Sequence, residues 1–268
     1  MRVGVVGGTG TLGALAVAEL ARRGHEVWAL SRSPPASGAG VAHRVVDLAS
    51  GEGVAHAVSG LDVVVDASNV SRPGRAMRAV LLDGTRRLMR AEAEAGVAHH
   101  VLVSIVGIEE VPLSYYRVKL EQERAVREGP VTASVLRSTQ FHPLVHRMFE
   151  ATSRFGILPA GGALLQPVDP QEVARVLAEH LSAEPWSERV QVAGPEILSL
   201  SELAHSWRTV TGRRRVLMAM PLPGRMGRSL RRGALTTQEA IRGQLGFADW
   251  LAGRAHQAPQ ASTVDKMP

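Results

Sequence analysis

The apolar positions along the chain fall into two alternating rhythms. Short β-branched runs recur at Arg2–Val6, Glu26–Leu30, Arg44–Val46, Asp62–Asp66, His100–Ile105, Thr132–Arg137 and Arg189–Val192. Most are continuous rather than alternating, which predicts strands covered on both faces. Between them, apolar residues repeat at three- and four-residue spacing over Thr11–Arg23, Arg75–Ala95, Tyr115–Arg127 and Pro170–Ser182. These segments read as helices, and Gly24, Gly96 and Gly129 stand where the first three should close. Strand–helix alternation predicts an α/β fold with a doubly wound parallel sheet of about seven strands and right-handed crossovers. The rhythm breaks over 143–167 and 196–252, which carry much of the Pro and Gly. The expected organisation is a core of residues 1–142 plus 168–195, a smaller C-terminal lobe of residues 143–167 plus 196–252, and a disordered tail over 253–268.

Composition narrows the function classes. The 268 residues are 45% apolar, enough for a substantial core. There is no Cys, which excludes disulfides, thiolate nucleophiles and Cys-ligated metal. No apolar run approaches the roughly 18 residues of a membrane span. Met1-Arg2-Val3-Gly4-Val5-Val6 passes straight into a glycine loop, without the apolar stretch and cleavage site of a signal peptide. The expected location is cytoplasmic.

Charge is unevenly spread. Residues 1–200 hold 20 Lys+Arg against 21 Asp+Glu, whereas residues 201–256 hold ten Arg against three acids. A basic lobe can serve nucleic acid, but only 4% of residues are aromatic and no basic–aromatic stacking motif occurs. Nucleic acid is therefore not the expected partner; a solvated face, or one that attracts an anionic ligand, is. Of the 31 basic residues only Lys119 and Lys266 are lysines. Lys266 lies in the tail, so Lys119 is the one compact, pKa-tunable ammonium expected in folded structure.

The glycine loop carries the first chemistry. Gly4-Val5-Val6-Gly7-Gly8-Thr9-Gly10-Thr11-Leu12-Gly13 follows a predicted strand and opens a predicted helix. That context is what a dinucleotide fingerprint requires. One glycine makes the turn, one lets backbone approach a pyrophosphate, and one lets helix and strand pack closely. The amides of Gly7, Thr9, Gly10, Thr11, Leu12 and Gly13 are the expected cradle, with the helix N-terminus behind them. After the second strand, Ser31-Arg32-Ser33 supplies no acid for a ribose 2′-hydroxyl. Arg32, with Ser31 and Ser33, instead suits a 2′-phosphate, which points to NADP(H). By position, Asp47 and Leu48 suit the adenine edge, and Ala67, Ser68 and Asn69 the middle of the coenzyme.

The only two tyrosines, Tyr115 and Tyr116, are adjacent, and Lys119 follows Tyr115 by four. Four residues on a helix share a face. An ammonium beside a phenol should lower its pKa, making Tyr115 a proton donor or acceptor at a carbonyl while hydride moves. Ser104, at a strand end, should face the same crevice.

Together the glycine loop, Ser31-Arg32, Ser104-Ile105-Val106-Gly107 and Tyr115-Tyr116-Arg117-Val118-Lys119 resemble the atypical short-chain dehydrogenase/reductases, and most closely the NmrA-like NAD(P)H-binding proteins. Leu136-Arg137-Ser138-Thr139-Gln140-Phe141-His142 resembles the segment that borders the nicotinamide in that family, which adds Thr139 and Phe141 to the coenzyme set. Gln166–Ala174 and Ala193–Glu196 with Leu200–Ala204 resemble its later landmarks. The resemblance covers roughly residues 1–252. It implies a Rossmann-type fold, bound NADP(H), and Ser104, Tyr115 and Lys119 as the active-site set, with Lys119 also holding the nicotinamide ribose. The expected activity is NADPH-dependent reduction of a small carbonyl or quinone-type acceptor. Ten residues separate Ser104 from Tyr115, a shorter gap than in reductases whose Ser–Tyr–Lys set is catalytic. That keeps an alternative open: a non-catalytic NADP(H)-binding redox sensor acting on a protein partner through its Arg-rich lobe.

Lesser signals weigh less. His142 and His146 are four apart, but Pro143 and the lack of a third ligand make a poor metal site, so no metal is expected. His142 could border the nicotinamide. The Met218-Ala219-Met220-Pro221 run reads as packing within the lobe. No G-x-S-x-G element supports hydrolase chemistry.

Overall fold

The computed structural model describes residues 1–34, 41–70, 74–186 and 189–257, with side chains to residue 254. The first half runs β1 (Arg2–Val6), α1 (Gly13–Arg22), β2 (Glu26–Ser31), β3 (Ala42–Val45), α2 (Val54–Val58), β4 (Val63–Asp66), α3 (Arg75–Arg78), α4 (Thr85–Ala95), β5 (His99–Ile105), α5 (Ser114–Arg127) and β6 (Ala133–Ser138). The second runs α6 (His142–Ser153), β7 (Ile157–Ala160), β8 (Leu164–Leu165), α7 (Pro170–His180), β9 (Val190–Ala193), β10 (Leu198–Ser199), α8 (Leu200–Thr211), β11 (Val216–Ala219), α9 (Gly224–Arg231), β12 (Ile241–Arg242) and α10 (Phe247–Gln257).

The main sheet is parallel, in the order β12-β9-β6-β5-β4-β1-β2-β3. It has eight strands, one more than expected: Ile241–Arg242, within the stretch assigned to the lobe, pairs with Val192–Ala193. Two residues are too short a run to show a period, so the sequence gives no sign of this strand. Helix α10 likewise continues beyond Gly253 to Gln257, and the rest of the expected tail lies outside the described residues.

The continuous apolar strands are covered on both faces, as their composition requires. On one side Val3, Val5 and Val63 pack with Leu20 of α1 and Val173 and Leu177 of α7. On the other, Val6 and Val64 pack with Val54, Ala57 and Leu88 of α2 and α4. Each fully buried Val or Leu contributes about 1.5–3 kcal/mol, so the centre of the sheet is the rigid part of the molecule.

The helix expected over Arg75–Ala95 is not uniform. Between α3 and α4, Ala79–Gly84 forms a wider π-helical turn. A Cβ at Gly84 would stand 2.8 Å from Leu48 Cβ, so only glycine lets the helix approach the chain after β3 this closely. Immediately after the turn, the Thr85 hydroxyl lies 3.0 Å from Leu81 O and 3.3 Å from Asp66 Oδ2. Such turns interrupt α-helices mostly where a side chain must be re-aimed.

The lobe is built on α6, α8 and α10 around Phe149, Trp207 and Phe247, with β7–β11 and β8–β10 as small two-stranded sheets. A capping box of Ser199 and Glu202 starts α8. Met226 and Leu230 of α9, with Ala234 and Leu235, pack on Val111, Leu113 and Tyr116, so the lobe reaches over the loop after β5. The methionine run departs from expectation. Val216, Met218 and Met220 are 68%, 49% and 39% exposed, because they occupy the outward face of β11 while Leu217 packs inward.

Candidate functional site

Strands β1 and β4 are neighbours although β2 follows β1 in the chain, so connections leave β1 and β4 on opposite sides and open a crevice at their carboxyl ends. The glycine loop sits there. The Gly7 amide donates to Leu30 O (2.9 Å) and Ala67 N donates to Val6 O (3.1 Å). Gly10 N donates to Gly7 O (2.8 Å), folding the loop back before α1. Gly7 has φ of +71°, and a Cβ on it would lie 2.9 Å from Ala67 O. A Cβ on Gly13 would overlap Gly7 O. Neither position accepts a side chain, and the tight turn leaves Thr9, Gly10 and Thr11 exposed. The amides of Thr9, Thr11, Leu12 and Gly13 donate to no acceptor among the described residues. Free N–H groups at a helix start are an anion site in waiting.

The other expected coenzyme residues line the same sheet edge. Ser31 Oγ donates to Ser33 O (2.7 Å) and lies 3.0 Å from His43 Nε2. Arg32 is exposed and makes no ion pair among the described residues. Asp47 Oδ1 accepts from Ala49 N (2.8 Å), which shapes the turn after β3, and Leu48 is buried beneath it. Ala67, Ser68 and Asn69 follow β4. The Ser68 amide donates to Asp66 Oδ1 (2.9 Å), while its hydroxyl oxygen is buried without a partner among the described residues. After β6, Thr139 is buried and its Oγ1 accepts from Gly194 N (3.3 Å). Phe141 is half-buried, bridges to Val168 and packs on the sheet core.

The three expected catalytic residues do not converge. Lys119 is 3% exposed, and its ammonium donates to Val103 O (2.9 Å) and Gln122 Oε1 (2.6 Å). Burial pulls its pKa from 10.5 down to about 8, with Asp66 and Glu123 opposing that shift. Tyr115 Oη donates to Asn69 Oδ1 (2.9 Å), and its ring packs on Met77, Leu81 and Val118 and lies 5.5 Å from the Tyr116 ring. Burial pushes the Tyr115 phenol up to about 12. The lowered phenol expected from the four-residue spacing is thus corrected: the ammonium turns toward Gln122 and a main-chain carbonyl, and desolvation governs the ring. Ser104 also departs from expectation. Its Oγ is engaged by Glu123 Oε1 (2.6 Å), to which it donates. Glu123 also takes a two-pronged contact from Arg137 (2.9 and 2.7 Å) and one from Arg127 (2.8 Å), and Arg137 reaches Glu109 (2.7 Å). Burial opposes ionisation of Glu123, but these bonds outweigh it and hold the carboxyl below its ordinary range.

Four residues escaped the sequence reading. His43 stands beside Ser31, where it flanks the expected 2′-phosphate position. Tyr116 packs between the sheet edge and α9. Gln122 and Asp66 complete the surroundings of Lys119: Gln122 Nε2 lies 3.3 Å from Asp66 Oδ2 and 2.9 Å from Thr85 Oγ1. Two signals were available. Gln122 follows Lys119 by one helical turn, and Asp66 is the single acid ending the wholly apolar run Val63-Val64-Val65.

The two histidines of α6 are engaged elsewhere. His142 Nε2 bonds Leu245 O (2.9 Å), and His146 Nδ1 accepts from Trp207 Nε1 (3.0 Å). No metal-holding cluster occurs among the described residues. No described helix is long and apolar enough to cross a membrane. Two hollows lie away from the sheet edge: one of about 710 Å³ between Trp186 and Glu239, and one of about 510 Å³ among Arg208, Arg213, Arg214 and Arg215.

The model of a family described as NAD(P)H-binding matches residues 7–184. No curated protein matches the chain. Among solved structures, a triphenylmethane reductase from Citrobacter sp. is similar, with TM-score 0.76 and 20% identity over 96% of this chain and 100% of that one. An NADPH-dependent quinone oxidoreductase from Escherichia coli gives TM-score 0.73 and 15% identity over 94% and 99%. A nucleoside-diphosphate-sugar epimerase from Staphylococcus aureus gives 0.76 and 17% over 94% and 100%. At these identities the likeness is one of fold.

Proposed function

The chain belongs to the NAD(P)H-binding family, as its likeness to the atypical short-chain dehydrogenase/reductases implied, and from that premise we propose that it is an NADPH-dependent reductase of a small carbonyl or quinone-type acceptor. The observation that carries this reading is the glycine turn at the β1–β4 crevice, where Gly7 and Gly13 have no room for a Cβ against neighbouring backbone and the amides of Thr9, Thr11, Leu12 and Gly13 donate to no acceptor among the described residues. The buried, unpartnered Ser68 hydroxyl and the third hydrogen of the Lys119 ammonium, two being already engaged, offer further donors. These residues fit a dinucleotide. The amides of Thr9, Thr11, Leu12 and Gly13 hold the pyrophosphate, with the Gly7 and Gly10 backbone shaping the turn around it, and Arg32 with Ser31 grips a 2′-phosphate. Asp47 and Leu48 border the adenine, while Ala67, Ser68 and Asn69 line the middle. Lys119 holds the nicotinamide ribose, with Thr139 and Phe141 behind the ring.

When bound, the coenzyme supplies a hydride. The chain's part is to hold the acceptor and deliver a proton. With a carbonyl acceptor, Tyr115, kept protonated by its raised pKa, donates from Oη to the acceptor oxygen as charge develops there, because an alkoxide is a stronger base than phenolate; a quinone-type acceptor gives a weaker base and takes its proton from solvent. Asn69, which accepts the phenolic proton in this structure, keeps Oη at the mouth of the crevice. Ser104 has no direct part while Glu123 holds its hydroxyl. The relatives named above, a quinone oxidoreductase and a dye reductase, support reduction as the chemistry.

The test is to follow NADPH absorbance with a panel of quinones and aldehydes, and to measure NADPH and NADH binding by calorimetry. Turnover that is lost in Lys119→Ala is expected. No heat with either coenzyme would overturn the reading. A second reading, the NADP(H)-binding redox sensor with a protein partner at the Arg-rich lobe, draws support from one observation: Ser104 and Tyr115 are each bonded elsewhere and share no substrate oxygen. Tight NADPH binding without turnover on any acceptor is the result that would favour it.

A further inference from the structure

Resting on the coenzyme reading above, we infer that Asp66 is a positioning residue. Through Gln122 it holds the Lys119 ammonium, and through the Ser68 amide it holds the loop after β4, so one buried carboxylate braces two of the groups that face the coenzyme.

The placement of Asp66 is unusual on physical grounds. It is fully buried at the end of β4, with Val6 and Leu102 as its sheet neighbours. A carboxylate there is costly unless every oxygen is used. Both are. Oδ1 accepts from Ser68 N (2.9 Å), and Oδ2 lies 3.3 Å from both Gln122 Nε2 and Thr85 Oγ1.

The proton order of this chain of bonds is fixed by chemistry. An ammonium only donates, so Gln122 must turn its carbonyl oxygen to Lys119 (2.6 Å). Its NH2 must then face Asp66 and Thr85, where it lies 3.3 Å from Oδ2 and 2.9 Å from Thr85 Oγ1. An NH2 can only donate, so Asp66 must accept. Flipping the Gln122 amide breaks its bonds to both Lys119 and Asp66. The π-helical turn before Thr85 belongs to the same device, since it delivers the hydroxyl that braces Gln122. A carboxylate serving only to hold β4 in place would not need a one-way relay to the one lysine among the described residues.

The groups facing Lys119 come from several elements. On α5 they are Gln122 and Glu123; on β4, Asp66; on β5, the Val103 carbonyl. Glu123 is itself neutralised by Arg137 and Arg127. That leaves Asp66 as the uncompensated negative charge near the ammonium. Asp66 also acts on His100, whose own partner is Glu92 (2.9 Å). The low value of about 8 for Lys119 means its protonation is responsive to small changes in this surrounding.

The composition of the chain makes the test direct. It has two lysines, Lys119 and Lys266, so protein grown on 13C-lysine gives two side-chain signals, and Lys266→Arg assigns them. In the wild type, the Lys119 signal should titrate near 8, below the ordinary 10.5 of a lysine. In Asp66→Asn, the Lys119 midpoint should fall by about one unit, and the Kd for NADPH and for NADH should both rise about tenfold. Gln122→Met keeps all charges but cuts the relay. It should raise Kd similarly while moving the lysine midpoint less. A role confined to holding the fold would lower Tm and leave both readouts where they were. An Asp66→Asn protein with wild-type lysine midpoint and wild-type Kd overturns the inference. If that variant does not fold, an unchanged Kd in Gln122→Met does the same. Absence of NADPH heat in the wild type would instead sink the coenzyme reading, and the lysine titration would still report on the relay.

Discussion

Two buried polar clusters share helix α5 and differ in one respect. Around Glu123, carboxylate and guanidinium groups are matched: Ser104, Arg127 and Arg137 take up its oxygens, and Arg137 spends its remaining arm on Glu109. Around Lys119, the neighbours use two of three ammonium hydrogens and burial weakens the hold on the proton. Adjacent residues on one helix thus make a saturated cluster and an unsaturated one. A saturated cluster has nothing left to offer a ligand. Spare bonding capacity, and not burial or charge as such, separates a site from a strut in this molecule.

The largest test of that contrast is Glu123→Ala. It removes the buried partner of Arg137 and leaves it only the partly exposed Glu109, and urea unfolding should show a loss of about 3–5 kcal/mol. A loss below about 1 kcal/mol would mean that the saturated cluster is no strut. Next comes Lys119→Met, in which coenzyme affinity should fall ten- to a hundredfold, the worth of about 1.5–3 kcal/mol for a charged hydrogen bond. Its stability should fall less than that of the Glu123 variant. Arg32→Ala should weaken NADPH by a similar or smaller factor and leave NADH binding unchanged; equal losses would overturn the 2′-phosphate assignment.

pH separates the two roles of Lys119 more finely. Its folded pKa of about 8 lies below its ordinary 10.5, so the unfolded chain binds more protons between those values. The contribution of Lys119 to stability should therefore rise with pH across that window. Coenzyme binding should weaken over the same window as the ammonium is lost. Opposite slopes in unfolding and calorimetry titrations are the expected signature. The smallest effect is that of Tyr115→Phe on stability, about 0.5–1 kcal/mol, since the bond it removes ends on exposed Asn69. Its effect on turnover should be far larger if the phenol is the proton donor.

Strand and loop positions were legible in the sequence because their causes are local. A run such as Val63-Val64-Val65 can only be a buried strand in this setting, and the seven expected strands are found within two residues of their expected ends, whereas β7, β8, β10, β11 and β12 were not foreseen. The glycine loop was legible for the same reason: Gly7 and Gly13 are demanded by backbone a few residues away. Side-chain partnerships were not. Ser104 finds Glu123, and Asp66 finds Gln122, across 19 and 56 residues of chain. Nothing near either residue states which way it turns. The spacing of Tyr115 and Lys119 gave their shared helix but not the competition that Gln122 and Asn69 win. The π-helical turn was hidden because its cause, contact of Gly84 with Leu48, lies in another element.

That turn also constrains how the chain can change. Exposed Asp83 within it is free to vary in kind. Length is another matter: adding one residue to Ala79–Gly84 at unchanged winding would swing whatever follows by about 100° relative to what precedes. Thr85 would then leave Asp66, or else Met77 and Leu81 would leave Tyr115. Descendants of this sequence should accept substitutions along the segment while holding its residue count fixed.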